Sequence, residues 1–228
     1  PEDVINSILA TCDGWMTEGG DGTLVLKVGV YREPVVAIEE QHILDFAINY
    51  GVADEQAVNQ LNVTYTEPAQ KYSEMQTDPY RDEDAISEMG VVRSQALDLK
   101  WVQSASQARR LAQRAMLRLN PSLSGSFVTT LYGLAALGER WISVKYPYVS
   151  GLQDEVLEVQ GAELDLMAGR IKFDFIRVST DAIEAYDPAT DEGSPPVIPP
   201  EVPVQETFFR EDGSPFVRED NSVLVRET

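Results

Sequence analysis

One histidine and one cysteine, His42 and Cys12, stand among 228 residues. Ser-His-Asp and Cys-His catalysis would both have to run through His42. It lies in the polar run Glu39-Glu40-Gln41-His42, which reads as a turn between strands, and no G-x-S-x-G elbow accompanies it. Cys12 completes the apolar positions of a short helix and reads as a small buried thiol. One His and one Cys do not make an ordinary zinc site. The run Glu18-Gly19-Gly20-Asp21-Gly22 has the glycines of a phosphate cradle but neither the Lys-Ser/Thr nor the helix that follows one, so it reads as a hairpin turn. Asp82-Glu83-Asp84 lacks the alternate carboxylates around a glycine of a calcium loop. These readings give no catalytic residue, no metal ligand and no cofactor site.

The 38 acidic residues leave a glycosidase-style carboxylate pair open on composition alone. Trp15, Trp101 and Trp141 would suit the wall of a sugar groove, although single tryptophans on alternating strands read first as core. A cell-wall glycosidase, or a glycan-binding module, is therefore the alternative to a structural role.

A formal charge of −20, from 18 basic and 38 acidic residues, argues against nucleic acid and against an anionic membrane surface as partners. No apolar run approaches the roughly 20 residues that span a bilayer. A body of roughly 190 residues buries about 70% of its unfolded surface and needs no staple. The chain opens PEDVINSILA, without an initiator Met or a signal peptide, and reads as a fragment or domain of a longer polypeptide.

The elements follow from patterning. Val4, Ile5, Ile8, Leu9 and Cys12 recur at helical spacing behind Pro1, which predicts a short N-terminal helix. Trp15–Val30 reads as a hairpin, 34–38 and 43–50 as strands, and 59–66 as a half-buried strand with Leu61, Val63 and Tyr65 inward. Residues 67–90 read as a long polar loop with one helical turn near 83–89. Residues 91–99 read as a strand. The main helix is expected at about 104–119, with Ser104 and Gln107 forming a capping box. Ala108, Leu111, Ala112, Ala115, Met116 and Leu119 make its apolar stripe, and so many alanines predict close approach to a sheet. Arg110, Arg114 and Arg118, with Arg109 beside them, line its other side. They read either as a surface paired with acids of the same fold or as a contact with an acidic neighbouring subunit. Strands are expected at 127–132, 141–146, 153–160, 163–167 and 171–178, so this half is almost all antiparallel. The fold class is α+β, predominantly antiparallel β.

Three segments are expected: a β-rich domain at 1–185, a Pro-rich linker at 186–206 and a repeat tail at 207–228. The tail repeats the unit apolar-Arg-Glu-Asp-Gly/Asn-Ser about every eight residues. Such units cannot build a core alone, and Phe209, Phe216 and Leu224 read as assembly or recognition residues.

The run from Val91 to Pro147, with SASQARRLAQRAMLRL and GERWISVKYP, resembles the hub domain of phage tail-tip proteins, the tip-attachment or host-specificity family that includes gene-transfer-agent hubs. PEDVINSILATCDGW, GGDGTLVLKVG and NQLNVTYTEPAQ fit the same pattern, with Glu67-Pro68 where Asp-Pro is usual. The resemblance covers roughly residues 1 to 180. It implies tail-tube-like β-barrel or sandwich subdomains, a homotrimer, and contacts with tail-tube and distal-tail proteins. It also implies fibre or receptor-binding modules as partners and a place in the virion at the tail tip, after synthesis in the host bacterial cytoplasm. It implies no catalytic residue.

Overall fold

The computed structural model describes residues 2–19, 21–53, 55–192, 205–207 and 225–227. The chain divides into two compact units, Pro1–Pro196 and Val197–Thr228.

In the first unit the elements run α1 (Glu2–Thr11), β1 (Trp15–Glu18), β2 (Leu24–Lys27), β3 (Ala37–Glu39), a 3-10 turn (Glu40–His42) and β4 (Ile43–Tyr50). There follow β5 (Gln60–Glu67), β6 (Ser73–Gln76), β7 (Tyr80–Arg81), α2 (Glu83–Met89), β8 (Ser94–Leu99) and α3 (Ala105–Leu119). The last part holds β9 (Leu123–Thr130), a 3-10 helix (Leu131–Ala136), β10 (Trp141–Lys145), β11 (Glu155–Asp165), β12 (Arg170–Ile176), α4 (Thr180–Glu184) and α5 (Pro188–Asp191). The protein is α+β with mostly antiparallel pairing, as its patterning predicts.

The largest sheet has the order β3-β10-β11-β12-β9-β4. Its two edge strands are consecutive in the chain, with only Glu40–His42 between them. A three-residue turn cannot span a flat sheet of six strands about 4.8 Å apart, so the sheet curls into an open barrel whose edge strands are not paired with each other. Phe46 of β4 packs edge-on against Tyr146, just after β10, with ring centroids 5.2 Å apart. The Tyr50 hydroxyl donates to the Ser150 carbonyl at 3.2 Å. The barrel is filled by inward residues of alternating strands: Ile171, Phe173 and Phe175 of β12, Phe127 of β9, Ile142 and Val144 of β10. Gly125 of β9 lies tight against β4, and a Cβ there would sit 2.1 Å from the Ala47 carbonyl oxygen.

The second sheet is centred on β5, which pairs antiparallel with β6 and β7 and parallel with β8. Helix α3 lies on it. Ala108 and Ala112 are fully buried, together with Met116, against Leu61, Val63 and Tyr65 of β5 and Leu99 of β8. The small side chains let the helix backbone come down onto the strands, as the alanine stripe predicts. The hairpin β1–β2 forms a third, two-stranded sheet of its own.

Several expectations are corrected. The segment 67–90 is not all loop: β6 and β7 pair with β5, and β-propensity alone missed them because short polar strands are made by pairing. The two strands expected at 153–160 and 163–167 are one, β11 (Glu155–Asp165), whose register shifts between Val159 and Gly161 rather than breaking. Ser104 is the N-cap of α3, but there is no capping box. Its hydroxyl sits 2.9 Å from the Ser106 hydroxyl, while Gln107 reaches the Thr11 carbonyl at 2.8 Å. Cys12 is exposed, because α1 ends at Thr11 and the thiol falls in the turn beyond it. Trp101 is 59% exposed and is not core, whereas Trp141 is buried. The head of the expected linker contains α5.

In the second unit, β13 (Gln205–Thr207) pairs antiparallel with β14 (Val225–Glu227). Phe209, Phe216 and Leu224 lie outside the described residues.

Candidate functional site

The densest set of charged side chains lies between α3 and the outer face of the barrel. Asp13 stands in the turn after α1 with a left-handed backbone, φ 49°. Arg114 and Arg118 descend from α3 one turn apart. Arg140 precedes β10, and Glu158 lies mid-way along β11, paired in register with Trp141. Glu158 is 1% exposed and Arg140 5%.

Geometry ties all five together. Arg118 Nε donates to both oxygens of Glu158, at 3.0 and 2.9 Å. Its terminal nitrogens reach both oxygens of Asp13, at 2.9 and 3.2 Å. Arg140 donates from Nε and Nη2 to Glu158 Oε1, at 2.9 and 2.8 Å. It also holds Asp13 Oδ1 at 3.0 Å and the Asp13 carbonyl at 2.7 Å. Arg114 lies 3.5 Å from Asp13 Oδ2 and donates to the Gly29 carbonyl. A side chain at position 29 would collide with Arg114 and Asp13, so glycine is required there by close approach.

Burying this much charge is unfavourable unless every group is paired and hydrogen-bonded. Burial works against the charge on Arg140, but Glu158 and Asp13 together outweigh it and hold its pKa above the ordinary guanidinium value. For Arg114 burial wins: its pKa is lowered, with Asp13 opposing and the neighbouring arginines adding to the fall. The cluster binds four parts of the chain to one another and leaves neither carboxylate unpartnered. Its chemistry is cohesion.

The other two arginines of α3 point elsewhere. Arg109 Nη1 donates to the carbonyls of Asp78 and Pro79, at 3.1 and 3.0 Å, and its guanidinium stands 4.9 Å from the ring centre of Tyr80. Arg110 is exposed, with its guanidinium 5.6 Å from the ring centre of Tyr186. His42 is occupied locally. Its ring stacks on Tyr132 with centroids 3.6 Å apart, and the Glu39 amide donates to its Nδ1 at 3.2 Å. Among the described residues, no group of three or more His, Cys, Asp or Glu residues is placed to hold a metal ion.

The expected row of Arg114 and Arg118 is therefore brought to one place, with Arg109 and Arg110 set apart. Asp13, Arg140 and Glu158 were not singled out by spacing. Asp13 lies more than a hundred positions from Arg140 and Glu158, and the one local signal is a Glu set inside the apolar run Val156-Leu157-Glu158-Val159.

A cavity of about 310 Å³ opens beside the cluster, between Leu9 and Ala10 of α1 and the leucines of β8 and α3.

The model of a phage tail protein family matches residues 1–122. The chain belongs to that family. The matched stretch carries Asp13, Arg114 and Arg118 of the cluster. Among solved structures, this tail protein resembles a chain of the native gene transfer agent (GTA) virion, with TM-score 0.57 and 14% identity over 83% of this chain and 41% of that one. It also matches the tail protein from Neisseria meningitidis MC58 (TM-score 0.44, 16% identity, 80% of this chain and 55% of that one). The 43 kDa tail protein of prophage MuSo2 from Shewanella oneidensis matches with TM-score 0.43 and 16% identity, over 80% and 52%. The likeness to the virion chain is one of fold. The tail protein spans 41% of that chain's length. A comparison with curated proteins finds no match. No helix among the described residues is long and apolar enough to cross a membrane.

Proposed function

We propose that this tail protein is a structural piece of the tail-tip hub, an oligomer joining the tail tube to fibre or receptor-binding modules. The observation that carries the reading is the shared fold with a virion chain over 83% of the chain, within a phage tail family. The resemblance of residues 91–147 to tip-attachment hubs supports the tip rather than the tube. The charged cluster supports scaffolding, since its arginines and carboxylates are consumed by one another.

In this reading residues 1–185 form the hub body and 186–206 the spacer. Residues 207–228 are the assembly or recognition tail, through Phe209, Phe216 and Leu224. The homotrimer is taken from the resemblance. Arg110, the arginine of α3 that remains exposed, is the group offered to an acidic neighbouring subunit.

Native mass measurement of the full protein tests the oligomer. A trimer is expected; a strictly monomeric protein across the micromolar range overturns the hub reading.

A further inference from the structure

We propose that residues 2–30 are an exchangeable arm, latched through Asp13, which in the assembled protein seats on a second copy of this chain. The proposal rests on the oligomeric reading above.

The arm is a separate piece of structure. Its hairpin β1–β2 is hydrogen-bonded only to itself as a sheet. A two-stranded hairpin of this size is marginal alone, so its seat decides its stability.

That seat combines the packing of Trp15 against the barrel core with a set of polar contacts. The Trp101 indole donates to the Ser7 hydroxyl at 3.0 Å, and Gln107 donates to the Thr11 carbonyl at 2.8 Å. Lys27 pairs with Glu139. Arg118 and Arg140 converge on Asp13. Such a surface resembles a docked interface more than a continuous core.

The apolar packing beneath it is incomplete. The cavity of about 310 Å³ lies between Leu9 and the walls made by Leu97, Leu99, Leu111 and Leu119. Meanwhile Val4, Ile5 and Ile8 of the same helix face outward, 54%, 42% and 51% exposed. The cavity is open to solvent, so these apolar walls stay partly in contact with water and the seat buries less apolar surface than it could.

The occupant in trans is identified by the occupant in cis. A second copy's arm carries the same Ser7, Thr11 carbonyl and Asp13 and makes the same contacts, so exchange is close to neutral in contact energy. The connector permits it. Residues 28–36 carry no helix or strand, include Pro34, and leave Val35 82% exposed. The six of these beyond the arm, residues 31–36, span about 20 Å when extended.

Cys12 is the single cysteine of the chain, and it lines one small surface cleft with Gln107 and Leu111. Gln107→Cys, or Leu111→Cys as a second variant, places one thiol on the body opposite one on the arm. A short bis-maleimide is applied to the oligomer, and the products are separated under denaturing conditions. Exchange predicts that covalent dimers and higher species dominate, and that Asp13→Asn lowers their yield at least threefold. Links within single chains only, from a protein that native mass shows to be oligomeric, overturn the arm and leave the hub reading standing. A monomeric native mass overturns the hub reading itself. Failure of both variants to cross-link overturns the seat.

Discussion

Arg118, near the end of α3, donates from Nε to both carboxylate oxygens of Glu158, on the outer face of the barrel. This pair joins the two β bodies. The helix buries its alanine face in the sheet around β5 and turns its arginine face to the barrel. Asp13 and Arg140 close the remaining valences, so the cluster is a rivet set in the seam between layers.

Removing one member should show the cost of buried charge. Glu158→Gln leaves Arg118 and Arg140 facing each other without their shared carboxylate, and is expected to lower stability by about 3–5 kcal/mol. Denaturant unfolding reads this. The exposed pair Lys172–Asp174 is the control, and Asp174→Asn is expected to change stability by no more than about 0.5 kcal/mol.

Gly125→Ala tests the barrel seam. The new methyl would meet the Ala47 carbonyl at 2.1 Å, and both groups are backbone-anchored. A loss of about 3 kcal/mol is expected, with amide-exchange protection lost first along β4. Unchanged protection of β4 would mean that β4 and β9 are not so closely paired.

Tyr65 gives a pH dependence. Burial first, then its hydrogen bond to Glu67 at 2.6 Å, push the phenol up to about 12. The neutral phenol is thus favoured in the folded state. Its contribution is whole below the ordinary tyrosine value of about 10 and is lost as pH rises toward about 12. The same bond lowers the Glu67 carboxyl, whose contribution is present above the ordinary carboxylate range and lost as pH falls through the lowered value. Tyr65→Phe should therefore flatten the alkaline limb of the stability curve between about pH 10 and 12 and soften the acid limb.

Arg110→Glu addresses assembly separately from folding. The side chain is exposed and faces the Tyr186 ring, outside the buried cluster. Thermal stability is expected to hold within a degree or two while the oligomer weakens at least tenfold. An unchanged oligomer would make Arg110 ordinary solvated surface. Arg114 and Arg118 are unsuitable for this test, because changing them breaks the rivet.

Much of the fold was legible where information is local. The stripe Ala108, Ala112, Met116 announced a helix lying on a sheet, and Ile171, Phe173, Phe175 announced an alternating strand with a buried face. What could not be read depends on partners distant in the chain. The parallel pairing of β8 with β5, and of β3 with β10, follows from topology rather than pattern. Asp13 and Glu158 look alike among 38 acids until the fold sets them around the same two arginines. Cys12 and Trp101 were misread because burial was inferred from helical and strand period, and both lie just beyond the elements that set that period.

The central claim is that this tail protein is part of the tip hub. Gold-labelled antibody against the chain, applied to intact tails and viewed by electron microscopy, tests it most directly. The account predicts label confined to the distal end of the tail. Label spread along the tube, gathered at the head-proximal end, or absent from assembled particles would contradict it.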